Sequence, residues 1–211
     1  MIDGIIFDKD GTLFDFRRSW GAWAQSLLDE LAPTAERRAE LGRAIGFDPA
    51  TGQFAADSTV IAGTPDQIAE DLMPCFPGAD GPAMIARINR LAAAAPMVPA
   101  VDLRAVLGAL RDRGLILGVA TNDAEAPAHA HLAAAGITDL FDFVAGFDSG
   151  HGAKPAPGPL LAFCRATGLS PSRVAMVGDS RHDLEAGRAA GMVCVAVLTG
   201  VAGAADVPTC K

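Results

Sequence analysis

Two aspartates stand two residues apart near the start of the sequence, in the segment Asp8-Lys9-Asp10-Gly11-Thr12. One carboxylate can attack an electrophile while its neighbour moves protons. Because two such close carboxylates cannot both ionise freely, a cation beside Asp8 would keep it ionised and leave Asp10 as the protonated partner. The amides of this turn, at Gly11 and Thr12, can hold phosphate oxygens. The alternative is a plain turn in which the aspartates bond to backbone.

A second acidic pair, Asp179 and Asp183, lies in the segment Gly178-Asp-Ser-Arg-His-Asp183. Asp179 follows a predicted strand and is placed to bind a hard cation. Asp183 fits either a supporting carboxylate behind the metal ligands or the N-cap of the next helix. An oxygen-only site with few carboxylates, open to a phosphate, favours Mg²⁺ over Zn²⁺ or Ca²⁺.

Thr121, Asn122 and Lys154 are further polar residues in predicted loops. If Asp8, Asp179 and Asp183 are ionised, Mg²⁺ and Lys154 together balance their charge, and a protonated Asp10 adds none. A phosphate can then bind although the whole chain is acidic. The same count predicts that the site needs its cation.

The elements that must bring these residues together alternate in type along most of the chain. An apolar strand over residues 2–7 ends at Asp8, and from 16 to 95 the pattern is helical and never strand-like. Beyond Pro99, helices are predicted over 102–113, 126–135, 157–167 and 183–190, and strands over 115–120, 143–145, 173–177 and 193–198. Such alternation indicates a parallel sheet covered on both faces, with functional groups beyond the carboxyl ends of its strands.

This pattern predicts an α/β core of residues 1–15 and 97–211, interrupted after the first strand by a helical insertion of residues 16–96. Within the insertion, Thr64 to Gln67 carries an N-cap, a proline at the first helical position and a capping-box glutamine. No internal repeat is evident.

The amino-acid composition limits the classes of partner that the protein is expected to bind. The 211 residues carry a net charge of −8, which disfavours nucleic acid and acidic membranes. No apolar run approaches the roughly 18 residues of a membrane span, and the N-terminus lacks a signal-peptide pattern, so a cytoplasmic location is expected. Cys75, Cys164, Cys194 and Cys210 show no disulfide or metal-site spacing. The sequence gives no indication of the oligomeric state.

Four segments in this order resemble the motifs of the haloacid dehalogenase superfamily. They are Asp8-Lys-Asp-Gly-Thr-Leu13, Thr121-Asn122, the Lys154-Pro155 region and Gly178-Asp-Ser-Arg-His-Asp183. The resemblance implies a Rossmann-like, doubly wound parallel sheet with an all-helical cap inserted after the first strand. Among relatives, Lys154-Pro-Ala-Pro157 and the cap size look most similar to phosphoglycolate-phosphatase-like members.

The resemblance also implies a mechanism for hydrolysing a small phosphomonoester. Asp8 would form an aspartyl-phosphate, while Asp10 protonates the leaving group and then activates water. Asp8, the Asp10 carbonyl and Asp179 would hold Mg²⁺, with Asp183 as a further carboxylate at the metal. Gly11, Thr12, Thr121, Asn122 and Lys154 would bind the phosphoryl group, with Lys154 neutralising its charge.

Two alternatives stay open: a phosphomutase like β-phosphoglucomutase, and a non-catalytic module that keeps the fold. Dehalogenase activity is disfavoured because the dehalogenases and phosphonate-cleaving members of the superfamily lack an aspartate at the position of Asp10.

Several other residues could contact the substrate or tune the site. The loop 57–64 and residues Arg17, Arg18 and Trp20 can reach the substrate from the cap, although solvated arginines and a packed tryptophan are the simpler interpretation. His129 and His131 are expected at the surface. His151 and His182 are expected to tune the site at most.

Overall fold

The computed structural model describes residues 1–201 and contains a five-stranded parallel sheet. Its strands are β1 (Gly4–Phe7), β4 (Ile116–Ala120), β5 (Phe143–Ala145), β6 (Val174–Gly178) and β7 (Val193–Ala196), in the order β5-β4-β1-β6-β7. All neighbouring pairs run parallel. Because the first strand of the chain lies in the centre, the loop after it opens between the loops after β4 and β6.

Helices α6 (Leu103–Asp112), α7 (Glu125–Ala134), α8 (Gly158–Thr167) and α9 (Arg181–Ala190) connect and flank these strands. The sheet separates two apolar clusters, one around Phe163 and Met176 and the other around Phe14 and Leu117. The predicted α/β fold with a doubly wound, Rossmann-like parallel sheet is confirmed. Predicted element bounds differ from the observed ones by one or two residues, as is usual where terminal turns fray.

The insertion comprises α1 (Phe16–Leu31), α2 (Ala35–Ala44), α3 (Thr59–Ala62), α4 (Pro65–Leu72) and α5 (Gly81–Ala93). It also contains a short antiparallel pair, β2 (Phe47–Asp48) with β3 (Gln53–Phe54). The expectation of an insertion without any strand is therefore wrong in this detail. Two-residue strands have too little alternation to be distinguished from loops in the sequence.

The insertion has its own apolar cluster, centred on Trp23, Leu27, Leu28, Leu41 and Ile88. The predicted capping box at the start of α4 forms, with Thr64 and Gln67 each bonding to the other's backbone. The division into a core of 1–15 and 97–211 and a cap of 16–96 stays a prediction, which this separate cluster supports.

Within residues 1–201, no helix is both long and apolar enough to cross a bilayer. Cys75 and Cys164 are free thiols, and Cys210 lies outside the described residues.

Candidate active site

Asp8 is the first residue beyond β1 and is buried at the carboxyl edge of the sheet. Its backbone amide donates to the carbonyl of Val177 in β6, which fixes the start of the turn. Lys154 reaches it from the loop before α8: Lys154 Nζ lies 2.5 Å from Asp8 Oδ1 and 2.7 Å from Asp183 Oδ1. A single buried ammonium thus bridges carboxylates from two distant parts of the chain.

Asp8, Asp179 and Asp183 place carboxylate oxygens within 4.8 Å of one another, and all three residues are buried. Asp179 follows β6, and Thr12 Oγ1 donates to its Oδ1 at 3.2 Å. With only Lys154 among them, three ionised carboxylates leave a net charge of about −2, which a divalent cation with a preference for oxygen ligands would balance. The residues present therefore fit a hard divalent metal.

The pKa values at this edge express the same excess of negative charge. Burial raises the pKa of Asp8 well above its ordinary value; Lys154 opposes this shift, and the charges of Asp183 and Asp179 add to it. Burial and the charge of Asp183 raise the pKa of Asp179 to about 7. The pKa of Lys154 is raised because Asp183 and Asp8 outweigh the effect of its burial. Carboxylates with raised pKa values release their protons when a cation binds.

Asp183 has a second, local role in helix α9. Ser180 is the N-cap of this helix and accepts from the Asp183 amide, while Asp183 Oδ2 accepts from the Ser180 amide at 3.0 Å. Asp183 is thus the third helical residue of a capping box. The predicted alternative, that Asp183 is the N-cap itself, is wrong because Ser180 takes that position. The other oxygen of Asp183, Oδ1, is left to face Lys154.

Gly11 is required where the Asp8 turn meets the loop of Asp179. Its φ is +84°, and a β-carbon at this position would lie 2.4 Å from Asp179 Oδ2. On the other side Thr199, in the loop after β7, donates its hydroxyl to the Gly11 carbonyl at 2.6 Å. A side chain at residue 11 would therefore displace the Asp179 carboxylate.

Thr121 and Asn122 follow β4 but make different contacts. The Thr121 hydroxyl accepts from the Asp123 amide within its own turn. Asn122 bonds to both the amide and the carbonyl of Lys154 at 2.9 Å, so it positions the backbone that carries this lysine. Asn122 Nδ2 also donates to the carbonyl of Ala62 in the cap at 2.9 Å.

A cavity of about 30 Å³ separates the cap from these residues, which is room for about one water molecule. It is lined by core residues, among them Asp8, Asp10, Lys154 and His182, and by residues 61–63 of the cap. Part of the loop 57–64 thus lies over the site, while its contact with a substrate stays a prediction. Within the described chain, neither Arg17 nor Arg18 lines this cavity, and Trp20 packs between Phe16 and Trp23 as its simpler interpretation predicts.

Lys9 is a central residue of the site for which the sequence suggested no role. Its side chain is fully buried, and Nζ lies 2.7 Å from Asp10 Oδ2, 3.1 Å from Asp123 Oδ2 and 3.0 Å from His131 Nδ1. Burial disfavours the charged form of Lys9, but Asp10 and Asp123 outweigh it and raise its pKa. A lysine between two motif aspartates was the available signal.

His131 is buried, so its expected surface position is wrong, whereas His129 is exposed as predicted. A lysine ammonium only donates; therefore His131 Nδ1 accepts from Lys9, and Nε2 donates to the carbonyl of Ala92 at 2.7 Å. Burial and the neighbouring Lys9 charge lower the pKa of His131 to about 4. The helical spacing of α7 did not reveal this burial, because five of its ten residues are alanines, which mark neither a buried nor an exposed face.

A larger cavity, of about 590 Å³, lies between α2 and the β2–β3 pair and shares no lining residue with the acidic cluster. Its lining includes Arg43, Phe47 and Phe54. It therefore does not belong to the site described above.

Residues 2–191 match the family of haloacid dehalogenase-like hydrolases. The phosphoglycolate phosphatase of Rhodospirillum rubrum is 34% identical over 207 residues, covering 95% of this chain and 81% of that protein. The probable phosphatase IndB of Dickeya dadantii is 32% identical, covering 93% and 81%. A predicted phosphoglycolate phosphatase from Haemophilus somnus shares the fold, with a TM-score of 0.71, 23% identity, and coverage of 94% and 86%. The chain therefore belongs to the haloacid dehalogenase-like hydrolases, as its four motifs predict.

Proposed function

We propose that this hydrolase is a Mg²⁺-dependent phosphatase that acts on a small phosphomonoester. The observation that carries the proposal is the position of Asp8, whose carboxylate lies at the centre of the sheet edge, beside Lys154 and within reach of the oxygens of Asp179 and Asp183. Relatives that span nearly the whole chain are named phosphatases, one of them a phosphoglycolate phosphatase.

Asp8 is the proposed nucleophile. One of its oxygens attacks phosphorus, the bond from phosphorus to the ester oxygen breaks, and the departing oxygen takes a proton from Asp10. Asp10 then removes a proton from water; the water oxygen attacks the phosphorus and the bond to Asp8 breaks, releasing inorganic phosphate and restoring both aspartates. Lys154 neutralises charge on the phosphoryl oxygens during both steps.

The metal would be held by Asp8, Asp179 and the Asp10 carbonyl, with Asp183 beside them. When bound, Mg²⁺ balances the carboxylates and the negative charge of the phosphoryl group. Gly11 leaves space for the Asp179 carboxylate, Thr12 donates to it, and Asn122 fixes the backbone of Lys154. Thr121 supports the turn that carries Asn122, so we assign it a smaller part in phosphate binding than its motif suggests.

The leaving group is proposed to be small, because residues 61–63 of the cap line the same cavity as Asp8 and Lys154 and would lie against it. Phosphoglycolate and sugar phosphates are the proposed class, and the cap must move for either to enter. A cytoplasmic location, and the absence of nucleic acid and membrane partners, stay predictions from composition.

A phosphate-release screen over phosphoglycolate, sugar phosphates and nucleoside monophosphates tests the activity, with Mg²⁺ and with EDTA. We expect phosphate release in the presence of Mg²⁺ and none in EDTA. The Asp8→Asn variant should release no phosphate, because asparagine has the size of aspartate but is not a nucleophile. Full turnover by Asp8→Asn would refute the assignment. Conversion of a hexose 1-phosphate into its 6-phosphate without free phosphate would favour a phosphomutase instead.

A further inference from the structure

Lys9 is buried beside Asp10, the proposed acid–base residue. Within residues 1–201, its ammonium has no hydrogen bond or ion pair with the carboxylates of Asp8, Asp179 or Asp183. Its Nζ lies within 2.8 Å of both Asp10 oxygens. Asp123 and His131 contact the same ammonium, and the ring of Trp20 lies 5.4 Å from it. An ammonium has three protons, and three polar side chains surround this one.

We propose that Lys9 is a positioning residue, which fixes the Asp10 carboxylate in the orientation needed for proton transfer at Asp8. This role rests on the proposed phosphatase function. Asp10 lies next to Gly11 and is one of the residues that line the cavity over Asp8. Among the described residues, the ammonium of Lys9 is the group that contacts both carboxylate oxygens of Asp10. Without it, the carboxylate can rotate away from the leaving group, and proton transfer requires a nearly fixed geometry.

The position of Lys9 is itself fixed from several directions. Asp123, beyond β4, holds the ammonium from the core side, and His131 accepts from it as a neutral ring. The other nitrogen of His131 donates to Ala92 near the end of α5, whereas Trp20 belongs to α1. The first and last long helices of the cap thus both contact the Lys9 cluster, which consists of Lys9, Asp10, Asp123 and His131.

A purely structural role for Lys9, as the counterion of two buried carboxylates, predicts a different outcome. Loss of such a counterion lowers the folded, active fraction, and this reduces the activity toward every substrate by the same factor. Loss of a positioning residue for the acid matters most when the leaving group is a poor one, because a good leaving group departs without a proton.

The test compares kcat/KM for 4-nitrophenyl phosphate, which has a good leaving group, with kcat/KM for phenyl phosphate, which has a poorer one. In Lys9→Met we expect about a 3-fold loss with the first and about a 100-fold loss with the second, within the range that acid–base groups contribute. Because both values scale with the active fraction, their ratio is insensitive to partial unfolding. Phe163→Leu, in the separate cluster around Phe163, should lower the Tm and leave the ratio unchanged.

Asp123→Asn is a second, milder variant, which weakens the hold on Lys9 and should change the ratio in the same direction by a smaller factor. A wild-type ratio in both Lys9→Met and Asp123→Asn would overturn the role of Lys9 and leave the phosphatase activity standing. Failure of the wild-type protein to release phosphate from either aryl phosphate and from every phosphomonoester of the screen would instead overturn the proposed function, and the role of Lys9 with it.

Discussion

Lys154 Nζ lies 2.5 Å from Asp8 Oδ1 and 2.7 Å from Asp183 Oδ1, so one ammonium joins the proposed nucleophile to the first turn of α9. The lysine side chain is almost completely buried. An ammonium in this position offsets the repulsion between the carboxylates of Asp8 and Asp183. It also offers positive charge to a bound phosphoryl group.

Lys154→Met should therefore lower kcat by about 100- to 1,000-fold, the range found when one stabilising donor at a reacting centre is removed. Methionine keeps the length of the side chain but carries no charge. Phosphate release under saturating substrate, with Mg²⁺ present, is the measurement. Arg165→Met, a nearby substitution on the exposed side of α8, is the control and should keep wild-type turnover. A Lys154→Met variant as active as this control would show that the ammonium serves only the fold.

Asp10→Asn should lower kcat by about 100- to 10,000-fold, because an amide can still accept from Lys9 but cannot transfer protons. The measurement is the turnover of phenyl phosphate by a variant whose thermal unfolding matches the wild type. Asp15→Asn provides the matched control: asparagine caps helices as well as aspartate, so the bond from the Arg18 amide at the start of α1 should persist. Equal rates for the two variants would remove the acid–base role from Asp10.

Asp179→Asn should stabilise the metal-free protein at neutral pH. Between pH about 4 and about 7, the unfolded chain has Asp179 ionised while the folded chain retains its proton, since its pKa is raised to about 7. The folded state then binds more protons, so its free energy of unfolding falls as pH rises through this interval. Asparagine removes this penalty, and the resulting gain in the free energy of unfolding is on the order of 4 kcal/mol at pH 7.5 and vanishes near pH 4.

Denaturant unfolding in EDTA at both pH values measures this difference. Mg²⁺ should stabilise the wild type and stabilise Asp179→Asn far less, because one ligand is lost. Asp112→Asn, at an exposed aspartate of α6, controls for the loss of one negative charge and should resemble the wild type. A metal-free Asp179→Asn protein that is less stable than the wild type at pH 7.5 would contradict the prediction.

Gly11→Ala should combine backbone strain with displacement of Asp179, and Gly136→Ala separates the two effects. Both glycines have positive φ, but a β-carbon at Gly136 meets no atom within 4 Å. Gly136→Ala should therefore cost about 1 kcal/mol of stability and leave Mg²⁺ affinity unchanged. Gly11→Ala should cost more and weaken Mg²⁺ binding at least 10-fold by calorimetry. Equal Mg²⁺ affinities would show that the Asp179 carboxylate does not depend on the space at Gly11.

The fold and the outline of the site could be predicted because both follow from short-range patterns. Apolar strands separated by amphipathic helices specify a parallel sheet, and a parallel sheet gathers its strand-end residues at one edge. Asp8 and Asp179 were predicted on these grounds, whereas Asp183 and Lys154 were predicted from their motifs, and the structure places all four together.

The Lys9 cluster was harder to predict, because its members come from segments far apart in the sequence and each has an ordinary alternative role. His131 lies on an alanine-rich helix, whose spacing gives little indication of the buried face. A compositional signal was nevertheless present. Of the 17 basic residues other than histidine, only Lys9, Lys154 and Lys211 are lysines, and two of these three are buried beside motif aspartates.

If the cap must move for a substrate to enter, the bond from Asn122 to the Ala62 carbonyl makes substrate affinity depend on how easily the cap opens. The cavity beside this bond, of about 30 Å³, is smaller than a phosphate ester, so the proposed substrate would bind to molecules in which the cap has moved away. A partly buried hydrogen bond of this kind contributes about 1 kcal/mol, which shifts the balance toward the closed form about fivefold. The measured affinity is then the intrinsic affinity multiplied by the open fraction, so a weaker contact between Asn122 and Ala62 tightens apparent binding without any new contact to the substrate.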